Sequence, residues 1–380
     1  MKIIYCTHSI CNPGGMERVL FNKVSWISSH TPWEVMIVTT DQHGRPPFYP
    51  FPEQVATVDL GIDYSDDIGR NSLSRILAFT KKKSLHRRRL SELLCREKPD
   101  VTVSMYPSES SFLPSLKDGS RKVLELHYNR YFRLQYGRKG LAGLSDRFRT
   151  WLDRRIAGRF DRFVVLTKED LGYWGDMPNM LAIPNAAVLP YKIEADMSAA
   201  RVIAVGRLDY QKGFDRLIKV WNAVSRSGVA TGWRLDIFGQ GECKEKLQDM
   251  IEGFGLADTV SINPPVKDIA KEYARSSVLV MTSHYEGLPM VMLEALSAGI
   301  PVVSFDCKCG PKDLIRDGEN GFLIKDGDTG AMAAALERMI SDGALRQHMS
   351  ACARKVSEEY SQERIMETWM HLFTSLVSER

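Results

Sequence analysis

Short apolar runs alternate with helix-patterned stretches along the whole chain. This alternation restricts the possible folds more than any other feature. Runs at 2–7, 34–40, 55–60, 101–105, 122–126 and 162–166 are largely apolar and of strand length. They read as strands of a parallel sheet. Between them lie helical stretches at 16–28, with Val19, Leu20, Val24 and Ile27 on one face, at 72–95 and at 141–158, with a further helix after Thr167. The 72–95 stretch takes its apolar positions from Ile76, Leu85, Leu90, Leu93 and Leu94. Strand–helix alternation of this kind implies an α/β fold, a parallel sheet with helices on both faces.

The pattern lapses between about 183 and 200, where Pro184-Asn185 closes a short strand and a polar, irregular stretch follows. It then restarts, with strands at 201–205, 233–238, 259–262, 278–281 and 301–304, and a turn plus short strand at 318–324. Helices at 214–224, 242–251, from 268, 288–298, 329–340, on through 356, and 361–377 accompany them. A chain of 380 residues suits two domains. The expected division is 1–186, with 361–380 packing back on it, and 187–360. Two open α/β sheets joined by one linker predict a deep cleft, with ligands outside the carboxyl ends of the strands.

Charge separates the halves. Residues 1–186 carry 28 Lys and Arg against 20 Asp and Glu, net +8, whereas the remainder carries 23 against 27, net −4. Lys81, Lys82, Lys83, Arg87, Arg88 and Arg89, and the stretch 121–162, concentrate the basic excess. Such a face suits an anionic partner: phosphates, nucleic acid or an anionic membrane surface. The opening Met1-Lys2 leads directly into a strand-like run, and no stretch approaches 18 apolar residues, so neither a signal peptide nor a membrane span is expected. Seven cysteines without a secretion signal fit reduced thiols in a cytosol. Cys307-Lys-Cys309 has no second Cys or His pair nearby, so no metal site is expected.

The chemistry-bearing motifs fall where strands end. Gly14-Gly15 follows the first strand and opens a helix, a place where backbone N–H groups can meet a phosphate. It is neither a Walker loop nor the three-glycine dinucleotide fingerprint. Gly206-Arg207 to Lys212-Gly213 follows the first strand of the second half. Two cations at a helix start repel one another and the helix dipole unless anions bind, and a pair of phosphates would resolve that. Phe238-Gly-Gln-Gly241 is a further strand-end turn, and His127 ends a strand in the first half. Glu286 lies in a loop after a strand, and Glu294 lies eight residues on, inside the following helix. Pro289 fits that helix's first turn. The N–H groups of the segment from Gly287 through Leu288 and Pro289 to Met290 favour an anion there.

Together these motifs resemble the retaining GT-B glycosyltransferases of family 4, group 1. The matching features are Gly14-Gly15, His127, Pro184-Asn185, Val205-Gly-Arg207 with Lys212-Gly213, Gly239-x-Gly241, the Glu286-x7-Glu294 pair, Ala298-Gly-Ile-Pro301 and Asn320-Gly321. The stretch 304–315 is similar to enzymes of capsule, exopolysaccharide and lipid-linked oligosaccharide synthesis. The family fold has two Rossmann-like parallel-sheet domains facing a cleft, the first binding acceptor and the second nucleotide sugar, with the last helix crossing back to the first.

The resemblance implies transfer of a hexose or N-acetylhexosamine from a UDP-sugar to a hydroxyl of a glycan or polyprenyl-pyrophosphate-linked acceptor, with retention, without cofactor or metal. Arg207 and Lys212 would carry phosphate charge together with Gly15 and the helix start. Glu286 would hold the donor sugar's hydroxyls, Glu294 the ribose, and His127 would approach the sugar from the first domain. Gly14, Gly206, Gly241, Val266, Gly287, Leu288, Pro289 and Met290 complete the expected donor site. The loop after 262 carries Asn263-Pro264-Pro265 where many relatives have a glycine.

Peripheral attachment at the inner face of an anionic membrane is also expected, with Phe132, Leu134, Tyr136 and Leu141 near Arg133 and Arg138. A UDP-sugar epimerase on the same fold, a much longer phosphorylase, and a basic nucleic-acid-binding protein are the competing readings. A hydrolase acid/base pair is disfavoured because Glu286 and Glu294 share one helix start instead of flanking a bond. The basic clusters lack an aromatic-interleaved platform or a reading helix, which weighs against nucleic acid.

Overall fold

The computed structural model describes residues 1–67 and 72–379, and gives the backbone alone for 66, 67, 72–76 and 136. The side chains of Ile76 and Tyr136 therefore lie outside the described residues. The chain forms two compact units. One comprises 1–166, 170–183 and 365–380; the other comprises 167–169 and 184–364.

The first unit contains β1 (Lys2–Cys6), α1 (Gly15–His30), β2 (Glu34–Thr39), β3 (Ala56–Asp59), α2 (Ser72–Glu97) and β4 (Val101–Ser104). It continues with β5 (Arg121–Glu125), α3 (Gly140–Ala157), β6 (Arg162–Val165), most of α4 (Lys168–Trp174) and β7 (Met180–Ala182). Its sheet has the order β3-β2-β1-β4-β5-β6-β7, parallel throughout. Ile3, Ile4 and Tyr5 on β1, an interior strand of the first sheet, are fully buried, as the continuous apolar run requires. Ile4, Val38, Leu90, Leu94, Phe163 and Trp174 form part of one core.

The second unit contains β8 (Arg201–Val205), α5 (Phe214–Arg226), β9 (Arg234–Phe238), α6 (Lys244–Gly253), β10 (Val260–Asn263) and α7 (Ile269–Ala274). Then come β11 (Val278–Met281), α8 (Met290–Ser297), β12 (Val302–Asp306), α9 (Pro311–Leu314) and β13 (Gly321–Lys325). Helices α10 (Thr329–Ser341), α11 (Gly343–Glu358) and α12 (Gln362–Ser378) close the chain. This sheet has the order β10-β9-β8-β11-β12-β13, again all parallel. On α5, Leu217, Ile218, Trp221 and Val224 recur at helical spacing and are fully buried, in one core with Met332, Leu336 and Met339 of α10.

Residues 365–380 of the C-terminal segment join the first unit. Trp369, Phe373 and Leu376 of α12 are buried, Arg121 donates to the Leu376 carbonyl, and Arg162 pairs with Glu379.

Two details differ from the sequence pattern. Helix α8 begins at Met290, so Pro289 is its N-cap and not part of the first turn. Pro289 has extended backbone, and its carbonyl accepts from the Met292 and Leu293 amides. Residues 311–314, where the pattern assigned no helix, form the one-turn helix α9, with Pro311 at its start.

Both sheets reverse their strand order beside the first strand, between β1 and β4 and between β8 and β11. Successive helices leave to opposite faces at such a point and open a crevice at the strand ends. In the second unit Gly213 permits the close approach of the loop after β8 to the end of β11. It has φ 60°, and a Cβ there would lie 2.4 Å from the Thr282 carbonyl oxygen. Gly213→Ala is therefore expected to destabilise the second unit by about 1–3 kcal/mol, combining overpacking with a left-handed backbone. A lowered urea midpoint with unchanged slope would show this; an unchanged midpoint would show that the loop after β11 yields freely.

Candidate active site

Two loops meet at the second unit's strand reversal. The first runs from Gly206 to Gly213 after β8, and the second from Thr282 to Pro289 after β11. Lys212 Nζ lies 2.7 Å from Glu286 Oε1, the two side chains 15% and 6% exposed. The Lys212 stem passes over Gly206, where a Cβ would stand 3.1 Å from its Cγ. Backbone contacts fasten the pair. The His284 amide donates to the Gln211 carbonyl at 2.8 Å, the Gln211 side-chain amide donates to the Tyr285 carbonyl at 3.1 Å, and the Glu286 amide donates to the Lys308 carbonyl at 2.9 Å. Arg207 is 71% exposed, bound to Gln211 Oε1 at 2.9 Å and Asp209 at 3.2 Å.

These pairings correct the electrostatic expectation. The two cations of the 206–213 loop do not stand uncompensated at a helix start. Glu286 balances Lys212 and Asp209 balances Arg207, so an arriving anion would take the place of a carboxylate partner.

Glu294 sits on α8 and is buried, and the Tyr273 hydroxyl of α7 donates to its Oε2 at 3.0 Å. Leu288 and Pro289 are buried, whereas Gly287 and Met290 are partly exposed. Pro289 carries no N–H, so the amides available at this helix start belong to Gly287, Leu288 and Met290. Gly241 answers a packing demand, since a Cβ there would meet the Leu208 carbonyl at 2.4 Å. Val266 is exposed in the loop after β10. Asn320 is fully buried and holds a turn, its Oδ1 accepting from the Arg316 amide and its Nδ2 donating to the Leu314 carbonyl.

In the first unit His127 lies just beyond β5, its side chain 5% exposed and Nε2 3.1 Å from Glu125 Oε1. Glu125 also pairs with the buried Lys23, whose ammonium stands 3.5 Å over the Trp369 ring of α12. Burial by itself would raise the Glu125 carboxyl, but Lys23 and His127 overcome it and hold the group ionised. Gly14 caps α1 and Gly15 is its first residue. The Glu17 carboxylate folds back against Gly14, within 2.1 Å of where a Cβ would stand. Burial raises the Glu17 carboxyl against an opposing hydrogen bond from Asn12. A phosphate approaching Gly14 would meet this group first.

Several side chains at these loops carry no sequence signal. Tyr210 stacks on His284 with ring centroids 4.3 Å apart, and Arg216 lies 3.0 Å from His284 Nδ1. Burial and the Arg216 charge lower the His284 pKa, favouring neutral imidazole. Tyr273, Lys23 and Glu125 likewise acquire their partners only through the fold. No group of three or more His, Cys, Asp or Glu side chains is placed to hold a metal ion among the described residues.

Sheet order and strand-end loops define the class of molecule: two Rossmann-like units with the fold of GT-B glycosyltransferases. Residues 188–356, which lie in the second unit, match the family described as Glycosyl transferases group 1. The chain is 34% identical over 224 residues to the amylovoran biosynthesis glycosyltransferase AmsD of Erwinia amylovora, a match covering 56% of this chain. The match spans 62% of AmsD, less than two thirds of its length. Over 99% of both chains it is 24% identical to the GalNAc-alpha-(1->4)-GalNAc-alpha-(1->3)-diNAcBac-PP-undecaprenol alpha-1,4-N-acetyl-D-galactosaminyltransferase of Campylobacter jejuni. Among solved structures, a S. aureus TarM mutant in complex with fondaparinux, alpha-GlcNAc-glycerol and UDP superposes with TM-score 0.80. It shares 18% identity and covers 98% of this chain and 99% of that one.

Glu109 gives a pH test of the first unit's strand ends. It follows β4, is 2% exposed, and accepts a hydrogen bond from Ser104. Burial pushes its carboxyl from 4.5 up to about 7, against the opposing pull of Ser104. The folded state therefore binds the proton more tightly than the unfolded chain. The associated stability is complete below about pH 4.5 and is lost as pH rises through about 7. The loss amounts to about 3 kcal/mol. Glu109→Gln is expected to remove this slope from urea midpoints measured between those pH values. A variant with the wild-type slope would show that Glu109 is ionised throughout.

Proposed function

We propose that this protein is a retaining, metal-independent hexosyltransferase. It moves a hexose or N-acetylhexosamine from a UDP-sugar to a hydroxyl of a glycan or lipid-linked acceptor in cell-surface polysaccharide synthesis. The observation that carries this reading is the Lys212–Glu286 pair beside Arg207 at the second unit's strand reversal, next to the start of α8. It lies inside the segment matching the group 1 family. The relatives named for amylovoran and undecaprenol-linked glycan synthesis support the acceptor class, and the UDP complex of TarM supports the donor.

In this reading the bond between the sugar's anomeric carbon and the diphosphate oxygen breaks, and a bond to the acceptor oxygen forms on the same face. The acceptor proton passes to the departing phosphate, so no protein base is assigned. The negative charge gathers on the diphosphate. Arg207, Lys212 and the amides of Gly287, Leu288 and Met290 meet it, preorganised groups each worth on the order of 3–4 kcal/mol in the transition state. When Lys212 turns to phosphate, Glu286 is released to accept from hydroxyls of the sugar. Glu294, held by Tyr273, is assigned to the ribose. His127, beside Glu125, is assigned to the transfer step.

The test is a panel of UDP- and GDP-sugars, with binding, slow hydrolysis and product anomer measured in EDTA. One UDP-sugar should bind and be consumed. Arg207→Ala and Lys212→Ala should each lower turnover about a hundredfold or more, and Glu294→Ala should weaken binding about tenfold. If no nucleotide sugar binds, or the variants bind and turn over like wild type, the assignment is wrong. Isomerised nucleotide sugar as sole product would make the protein an epimerase.

A further inference from the structure

Helix α3 is turned inside out. Its buried side consists of Asp146, Thr150 and Ala157, with the partly buried Asp153 beside them. Its large apolar side chains point the other way: Leu141 is 86% exposed, Leu144 and Phe148 61% each, Trp151 47% and Leu152 38%. These are five of the 13 exposed large apolar side chains among the described residues, gathered on one 18-residue helix. At the helical repeat they lie, with Arg155, inside a stripe about 100° wide, directly opposite the buried aspartates. Phe148 and Trp151 stack with centroids 5.6 Å apart, and the Arg155 guanidinium lies 4.1 Å over the Trp151 ring.

The charges around the stripe are of one sign. Arg147 and Arg149 are exposed on its two flanks, and Lys139 precedes the helix. Arg154 spends its donors on the Trp174 and Asp176 carbonyls, which leaves its charge uncompensated by any carboxylate in those contacts. Both acids of the helix are engaged on the inner side, Asp146 by Arg138 and Asp153 by Arg133. Of the contact expected at Phe132, Leu134, Tyr136 and Leu141 near Arg133 and Arg138, Leu141 lies on this exposed face, whereas Phe132 and Leu134 do not. Phe132 and Leu134 are half-buried, and the two arginines serve to bury the aspartates.

We propose that α3 docks this protein on an anionic lipid bilayer. The helix would lie flat, with Leu141, Leu144, Phe148, Trp151 and Leu152 at the headgroup–acyl boundary and the arginines among acidic headgroups. No helix is long and apolar enough to cross a membrane among the described residues, so the contact is with one leaflet. Pairing between two copies is the weaker alternative, because a two-fold axis would set the same arginines against each other. The inference goes beyond the transferase reading and does not depend on it.

The test is sedimentation of the full chain with vesicles of phosphatidylcholine alone and of phosphatidylcholine mixed with phosphatidylglycerol. Wild type should bind the mixed vesicles strongly and the neutral ones weakly. Phe148→Ser with Trp151→Ser should weaken binding about tenfold or more. Arg147→Gln with Arg149→Gln should weaken it about fivefold for each charge removed. All four side chains are exposed, so thermal melts should match wild type, and each pair of substitutions checks the other. Absence of wild-type binding, or equal binding by both variants, would overturn the proposal. So would a wild-type dimer in vesicle-free solution that Phe148→Ser with Trp151→Ser makes monomeric, without vesicle binding.

Discussion

In an all-parallel sheet every strand releases its chain at the same edge. The next strand can be reached only by crossing back over a face. All the loops that carry chemistry here therefore collect at strand ends, and the strand order decides which of them become neighbours. In the second sheet β8 lies beside β11, so a loop at 206–213 meets a loop at 282–289. Lys212 and Glu286, 74 residues apart in sequence, come within a hydrogen bond. A different strand order with the same motifs would leave each a separate glycine turn.

The two Lys–Glu pairs at the strand ends show how setting gives one chemistry two uses. Lys23–Glu125 is enclosed, with the Trp369 ring over the ammonium and His127 beside the carboxylate. Water cannot replace either partner there, and a buried charge without its counterion is costly. That pair sets a carboxylate 3.1 Å from His127 Nε2 and places its ammonium over the Trp369 ring of α12. Lys212–Glu286 lies in loops, with the exposed Arg207 in the same loop. In the proposed function a ligand bearing phosphate and hydroxyl groups replaces both partners at once.

Helix α3 separates amphipathicity from its direction. Apolar and polar positions recur at helical spacing in its sequence, and the usual inference puts the apolar stripe against the core. Here the core side takes aspartates, because Arg138 and Arg133 compensate them. Those two arginines read in sequence as part of an exposed basic run. The pattern identifies two faces; only the partners brought by other segments decide which face is inside.

Much of the fold was legible because continuous apolar runs of strand length and helical spacing report local backbone and burial, properties that each segment largely carries by itself. The second unit's strands, the glycine turns after them and the helix carrying Glu294 were readable on that basis. Pro289 was misplaced by one position because a proline's fixed φ suits both the first helical turn and the residue before it. The hydroxyl of Tyr273 on Glu294, the ring of Tyr210 on His284 and the carboxylates opposing Arg207 and Lys212 were not readable. Each contact joins side chains that meet through folding, and a side chain's type does not specify its partner. The sequence by itself determined which segments become strands, helices and strand-end loops, because those follow from short-range sterics and hydrophobic periodicity. Tertiary structure alone decided which loops face each other, which charges are compensated and which side of α3 meets solvent, because those depend on strand order and on groups far away along the chain.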